Sequence, residues 1–218
     1  MTSFRSLAVV LAGAVSLTAC ATATPIPIPS ATLEYTRTDC AAAPDLADAI
    51  SLTPDKERAT FSVSAPVSAT TPCLTQAEGW TTPYVTFALP ADHADKTVIV
   101  GTVLEPLRIM SPTVTILDRD GRVSRTFESE DYMYRGAVYS VQFRPRETEA
   151  YVVVTAEPSR VGQRYDSISV GVVTTTVYTG YGASNWSSGV EAAQSRTFSW
   201  EGTVQVQIAD NDTEEEGQ

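Results

Sequence analysis

Few side chains in this chain have types and spacings that could do chemistry. Asp118-Arg119-Asp120-Gly121 follows an apolar strand-like run, and aspartate oxygens at i and i+2 can meet one hard cation. An EF-hand needs its glycine five residues after the first aspartate, and here the gap is three, so the same residues read as a tight hairpin turn with Asp-Gly supplying positive φ. Asp118 and Asp120 are therefore weak metal candidates. His93 is the single histidine, and any Ser-His-Asp triad would have to use it. Its setting, Pro90-Ala91-Asp92-His93-Ala94-Asp95-Lys96, predicts a solvated connection, and no Gly-x-Ser-x-Gly elbow presents a serine. Glu128, Glu130 and Asp131 beside Tyr132 and Tyr134 form the densest local carboxylate group, the form a glycan hydrolase would need. With 26 Asp+Glu in the chain such a grouping also arises as a charged loop over a sheet end. The expectation is no catalytic set, no cofactor and no metal.

Tyr178 to Gly189 interleaves aromatics with Gly, Ser and Asn. Rings flanked by amides and hydroxyls suit contacts with a sugar ring or a protein surface. Tyr178, Tyr181, Asn185 and Trp186 are the candidate ligand-binding residues. The alternative is a connection whose rings cover an end of the fold.

The N-terminus carries Arg5, then an apolar and small-residue run to Leu17, then Leu17-Thr18-Ala19-Cys20. The run is about 13 residues, shorter than the roughly 20 needed to span hydrocarbon, and reads as a secretory signal peptide. Its end resembles the lipobox of bacterial lipoproteins. That resemblance implies removal of residues 1–19 and lipidation of Cys20 (a palmitate-type acylation). Ala21, in place of the aspartate that retains enteric lipoproteins at the inner membrane, implies an outer-membrane lipoprotein facing the periplasm. With Cys20 assigned to the lipid, Cys40 and Cys73 remain as an even pair in an oxidising compartment. A disulfide between them closes a loop worth roughly 3 to 4 kcal/mol.

The elements that must position these residues follow. Residues 20–32, with Pro25, Pro27 and Pro29 alternating with other residues, predict an extended tether. Leu46, Ala49 and Ile50 share a face at i, i+3 and i+4, which predicts one short helix over Pro44 to Ser51. From Ala59 onward the period becomes two. Val85, Phe87 and Leu89 alternate with Tyr84, Thr86 and Ala88, and about ten such runs rich in Val, Ile, Thr and Tyr extend to Ile208. Residues 33–209 therefore predict an all-β, antiparallel β-sandwich, jelly-roll-like, with that one N-terminal helix. Residues 210–218 have no apolar residue and predict a solvated acidic tail. The formal net charge of −11 opposes binding to nucleic acid.

Tyr84-Val85-Thr86-Phe87-Ala88-Leu89-Pro90, Met110 to Asp118, Arg122 to Phe127 and Tyr151-Val152-Val153-Val154-Thr155 follow one another in an order that resembles the maltose-operon periplasmic protein family (MalM). The similarity runs from Pro83 to Gly162. It implies a non-enzymatic envelope protein linked to maltodextrin-like carbohydrate handling, and it brings no catalytic residues. The lipobox, the Cys40/Cys73 pair and the Tyr178 to Gly189 segment depart from that pattern. The combined expectation is a lipid-anchored binding or accessory module, with a glycan or an envelope protein as partner. The alternatives are a structural subunit of an envelope complex and a carboxylate-based glycan hydrolase.

Overall fold

The structure, a computed structural model, describes residues 27–56 and 58–210. The lipidation candidate Cys20 and most of the tether and acidic tail lie outside the described residues. Among the described residues fourteen strands follow one another: β1 (Ile50–Ser51), β2 (Thr60–Val67), β3 (Cys73–Thr75), β4 (Thr81–Ala88), β5 (Lys96–Val103), β6 (Arg108–Met110) and β7 (Pro112–Asp118). Then come β8 (Val123–Phe127), β9 (Met133–Arg135), β10 (Val138–Phe143), β11 (Glu149–Ala156), β12 (Arg164–Thr179), β13 (Gly182–Ser199) and β14 (Gly202–Asp210).

One sheet has the order β1-β4-β11-β7-β8, with β3 also on β4. A second has the order β2-β14-β5-β10-β9, and a third joins β12, β13 and β6. Most neighbours are antiparallel, while β1–β4 and β13–β6 are parallel. The all-β class read from the period-two pattern is the class observed.

The first two sheets share one core, because alternate positions on each send apolar side chains to the same interior. Phe87, Val114, Ile116, Val152 and Val154 come from one, and Val98, Val100, Val141, Val204 and Val206 from the other. Gly101 lets β10 approach β5: a Cβ there would lie 2.1 Å from the Tyr139 carbonyl oxygen. A smaller cluster of Leu74, Tyr84, Leu117 and Val153 lies on the other face of the six-stranded sheet, with Leu46 packed onto it.

The expected helix over Pro44 to Ser51 is absent. Leu46 to Asp48 form a turn, the Ala49 N–H reaches the Leu46 carbonyl at 3.4 Å, and Ile50–Ser51 join β4 as a parallel strand. The helical spacing had a different cause: Leu46 serves the outer cluster and Ile50 the main core, two opposite sides of one sheet. Eight residues are also too few for a helix to be stable without tertiary help.

Two boundaries move. Thr32 already belongs to the domain, since its N–H donates to Ser199 Oγ at 2.8 Å and its carbonyl accepts from Trp200 N–H at 3.0 Å. Asp210 belongs to β14 and binds Lys96 Nζ at 2.7 Å, so it is not part of the solvated tail.

Candidate functional site

The Cys40–Cys73 disulfide expected from the cysteine count is present. Beside it, Ala41 N–H donates to the Cys73 carbonyl at 2.9 Å and Thr75 N–H to the Ala41 carbonyl at 2.8 Å. The chain around Ala42 and Pro44 is thereby fastened along β3, on the face of the six-stranded sheet that looks away from the main core. Tyr84 OH accepts from Asp45 N–H at 2.9 Å and fixes the same segment to β4.

Between this segment and β8 lies a groove of about 410 Å³. Its floor is set by strand register. Val153 stands opposite Thr115, which stands opposite Thr126, and in the next row Thr155 stands opposite Thr113. Alternate residues of a strand share a face, so these hydroxyls form a field across three strands, and Thr115 Oγ1 meets Thr126 Oγ1 at 3.2 Å. The turn from β3 to β4 supplies the rim. Gly79 takes φ +87 there, Gln76 N–H donates to the Trp80 carbonyl at 2.8 Å, and both Gln76 and Trp80 line the groove.

Glu157 is the one ionisable residue lining the groove. Its carboxylate is already engaged, with Oε1 accepting from Ser159 N–H at 3.0 Å and Oε2 from Thr113 Oγ1 at 3.4 Å. A concave surface whose floor mixes threonine hydroxyls with Leu117 and Val153, with an amide and a half-buried indole at its rim, can hold a neutral, polyhydroxylated ligand. No alternating pattern separates such outward threonines from ordinary strand threonines, so the sequence reading passed over Thr113, Thr115, Thr126, Thr155, Gln76 and Trp80.

The residues singled out from sequence fall elsewhere. The Asp118 to Arg122 stretch is the tight turn between β7 and β8, with Gly121 at φ +79. Asp118 Oδ1 accepts the N–H groups of Asp120 and Arg122, both at 2.9 Å, and Asp120 pairs with Arg122. Those oxygens serve the turn. His93 is a correction: it is buried in a short 3-10 turn, not solvated. Its Nδ1 lies 2.6 Å from the Pro90 carbonyl and its Nε2 3.0 Å from that of Arg146, so it ties two loops together.

Glu128, Glu130 and Asp131 sit exposed on the 3-10 turn Ser129–Asp131, where Glu128 and Asp131 cap each other. Backbone and Ser129 hydrogen bonds hold the Glu130 carboxyl below its usual range, the wrong direction for a general acid. Tyr132 beside them is buried, its phenol pushed up by burial while its oxygen accepts from Val114 N–H at 2.8 Å.

Tyr178, Tyr181, Asn185 and Trp186 lie at the outer end of the β12–β13 hairpin. They do not form a connection covering an end of the fold. The register instead runs unbroken from Arg164↔Thr197 to Thr179↔Gly182. Thr175 pairs with Trp186 and Thr176 with Asn185, so Trp186 faces one side of the ribbon while Tyr178 and Asn185 face the other. The four form no common pocket. Among the described residues no group of three His, Cys, Asp or Glu could hold a metal ion, and no helix is long and apolar enough to cross a membrane. Comparison with known proteins finds no matching family model, curated sequence or solved structure.

Proposed function

We propose that the chain is a lipid-anchored, non-catalytic binding module of the bacterial envelope that holds a neutral carbohydrate of the maltodextrin class in the groove beside Trp80. The observation that carries this reading is the groove itself: threonine hydroxyls on the floor, Gln76 and Trp80 on the rim, and a single carboxylate already engaged. An indole face packs on the apolar face of a sugar ring, and hydroxyls and an amide exchange hydrogen bonds with its edge.

The strand order supports a jelly-roll sandwich as the scaffold. Counting β2, β4, β5, β7, β8, β10, β11 and β14 as first to eighth, one sheet carries the first, eighth, third and sixth. The other carries the second, seventh, fourth and fifth. Two Greek keys wrapped into one double sheet interleave in this way, which supports the reading. The lipobox-like Leu17-Thr18-Ala19-Cys20 and the resemblance to the maltose-operon periplasmic family supply the envelope placement and the choice of glycan. Radiolabelled palmitate enters the wild-type chain and not Cys20→Ala; equal labelling of both refutes the anchor.

Calorimetric titration of the full chain with maltooligosaccharides tests the binding. Trp80→Ala weakens it about tenfold, the loss of one ring stack and its buried area, while Trp186→Ala leaves it unchanged. Absence of heat with the wild-type chain, or equal affinity of Trp80→Ala, overturns the groove reading.

A further inference from the structure

The β12–β13 hairpin stands out from the rest of the chain. Its strands are 16 and 18 residues long, yet β6 supports β13 only at Thr197 to Ser199. The root is clamped: the buried Arg196 donates through Nε to the Glu105 carbonyl and through Nη1 to Ser167 Oγ, both at 2.7 Å. Beyond the root the pairing from Ser167↔Gln194 to Thr179↔Gly182 reaches roughly 40 Å at about 3.3 Å per residue. Apolar side chains along it are open to solvent, with Ile168 67%, Val172 72% and Trp186 73% exposed.

A two-stranded ribbon is marginally stable in water, and three or more strands are needed for independent stability. Among the described residues β12 has no strand partner but β13. We propose that this ribbon is an assembly arm, and that the open edge of β12 pairs antiparallel with β12 of a second copy of this chain. The product is a four-stranded sheet, β13-β12-β12-β13, across a two-fold axis.

Three observations select a second copy. First, β12 carries the unbroken β-branched run Val172-Val173-Thr174-Thr175-Thr176-Val177 with no lysine, proline or bulge, the devices that normally keep sheet edges apart. Second, the chain has a net charge of −11, yet between Asp166 and Ser195 only Glu191 is charged. Two copies repel through their bodies, and the arm is where they can approach without that cost. Third, the edge is self-complementary. A two-fold axis at Val173 sets Val172 opposite Thr174 and Ile168 opposite Tyr178 of the other copy, favourable cross-strand pairs.

A lipid bilayer is a poorer occupant. A membrane-spanning ribbon keeps one face apolar and the other polar. Here Ile168 and Val172 lie on one face, Val173, Val177 and Trp186 on the other, and Ser or Thr is interspersed on both.

The inference is independent of the groove, and its variants leave the groove intact. The full chain carrying Val173→Cys is mildly oxidised and run on a non-reducing gel beside Arg119→Cys, which places a thiol on an exposed turn of the body. Val173→Cys is expected to run mainly at twice the monomer mass and Arg119→Cys at the monomer mass. Light scattering reads two copies per particle for the wild-type chain and one for Val173→Lys, with the thermal midpoint of the body unchanged. A wild-type chain with one copy per particle overturns the proposal. So does cross-linking of Val173→Cys no greater than that of Arg119→Cys, a Val173→Lys chain that stays paired, or arm-dependent flotation of single copies with phosphatidylethanolamine/phosphatidylglycerol vesicles.

Discussion

Cys40 is bonded to Cys73, and the bond lies where the chain running into Ala42 and Pro44 meets β3, so it tethers the segment whose Ala42 and Pro44 line the groove. Its loop spans a sequence separation of 33. Reduction, or the Cys40→Ala/Cys73→Ala pair, is expected to lower stability by roughly 3 to 4 kcal/mol. It should also weaken binding in the groove, because the segment carrying Ala42 and Pro44 then keeps only non-covalent ties, the backbone bonds to β3, Tyr84 OH and the packing of Leu46. Urea melts with and without reductant, followed by titration, check both effects. Coincident melts would show that the segment is held without the bond.

Glu149 is fully buried, and its carboxylate accepts from Ser124 Oγ at 2.8 Å, Arg125 Nη2 at 2.9 Å and Arg146 N–H at 2.8 Å. The Arg125 guanidinium also lies 4.8 Å from the Phe143 ring centroid. Glu149→Ala leaves that cation without its carboxylate and should cost about 3 to 5 kcal/mol in a urea melt. A loss under about 1 kcal/mol would mean that water replaces the carboxylate.

Gly101→Ala should cost about 3 kcal/mol or more, since its Cβ meets backbone on β10 that cannot move without breaking the ladder. Gly180→Ala is the matched control, with nothing within 4 Å of its Cβ. Equal thermal midpoints for the two variants would contradict the close approach of β5 and β10.

Lys96 links Asp210 at 2.7 Å and Asp92 at 3.1 Å, and the hydrogen bond to Asp210, then that to Asp92, holds its ammonium above the ordinary 10.5. A raised basic group stabilises the fold below its unfolded value and loses that contribution as pH climbs through the folded one. Stability should therefore be flat in this respect below about pH 10 and fall above it, by about 1 kcal/mol in all. Lys96→Met should remove the alkaline fall attributable to this group. An unchanged alkaline slope in urea titrations at several pH values would exclude the linkage.

Sequence reading recovered what repeats locally. Val, Ile and Thr at alternate positions named most of the strands, Asp118 to Gly121 named its turn, and Cys40 and Cys73 named their bond. It failed where distant partners decide. Ala183 to Gln194 is mostly Ala, Ser and Gly, with little strand preference, and it is a strand because β12 supplies the ladder. Leu46 and Ile50 mimic a helix face because the chain there crosses the edge of a sheet. The threonine field was invisible because it takes β7, β8 and β11 side by side to make it.

β14 lies between β2 and β5, and among the described residues it is also the last strand in chain order. The two halves of that sheet have no direct contact ladder until residues 202–210 slide between them. Val100 stands opposite Val206 and Val98 opposite Ile208, so β14 flanks the middle of the buried face of β5. Residues 202–210 are therefore the keystone of that sheet, since both of its halves are joined through them.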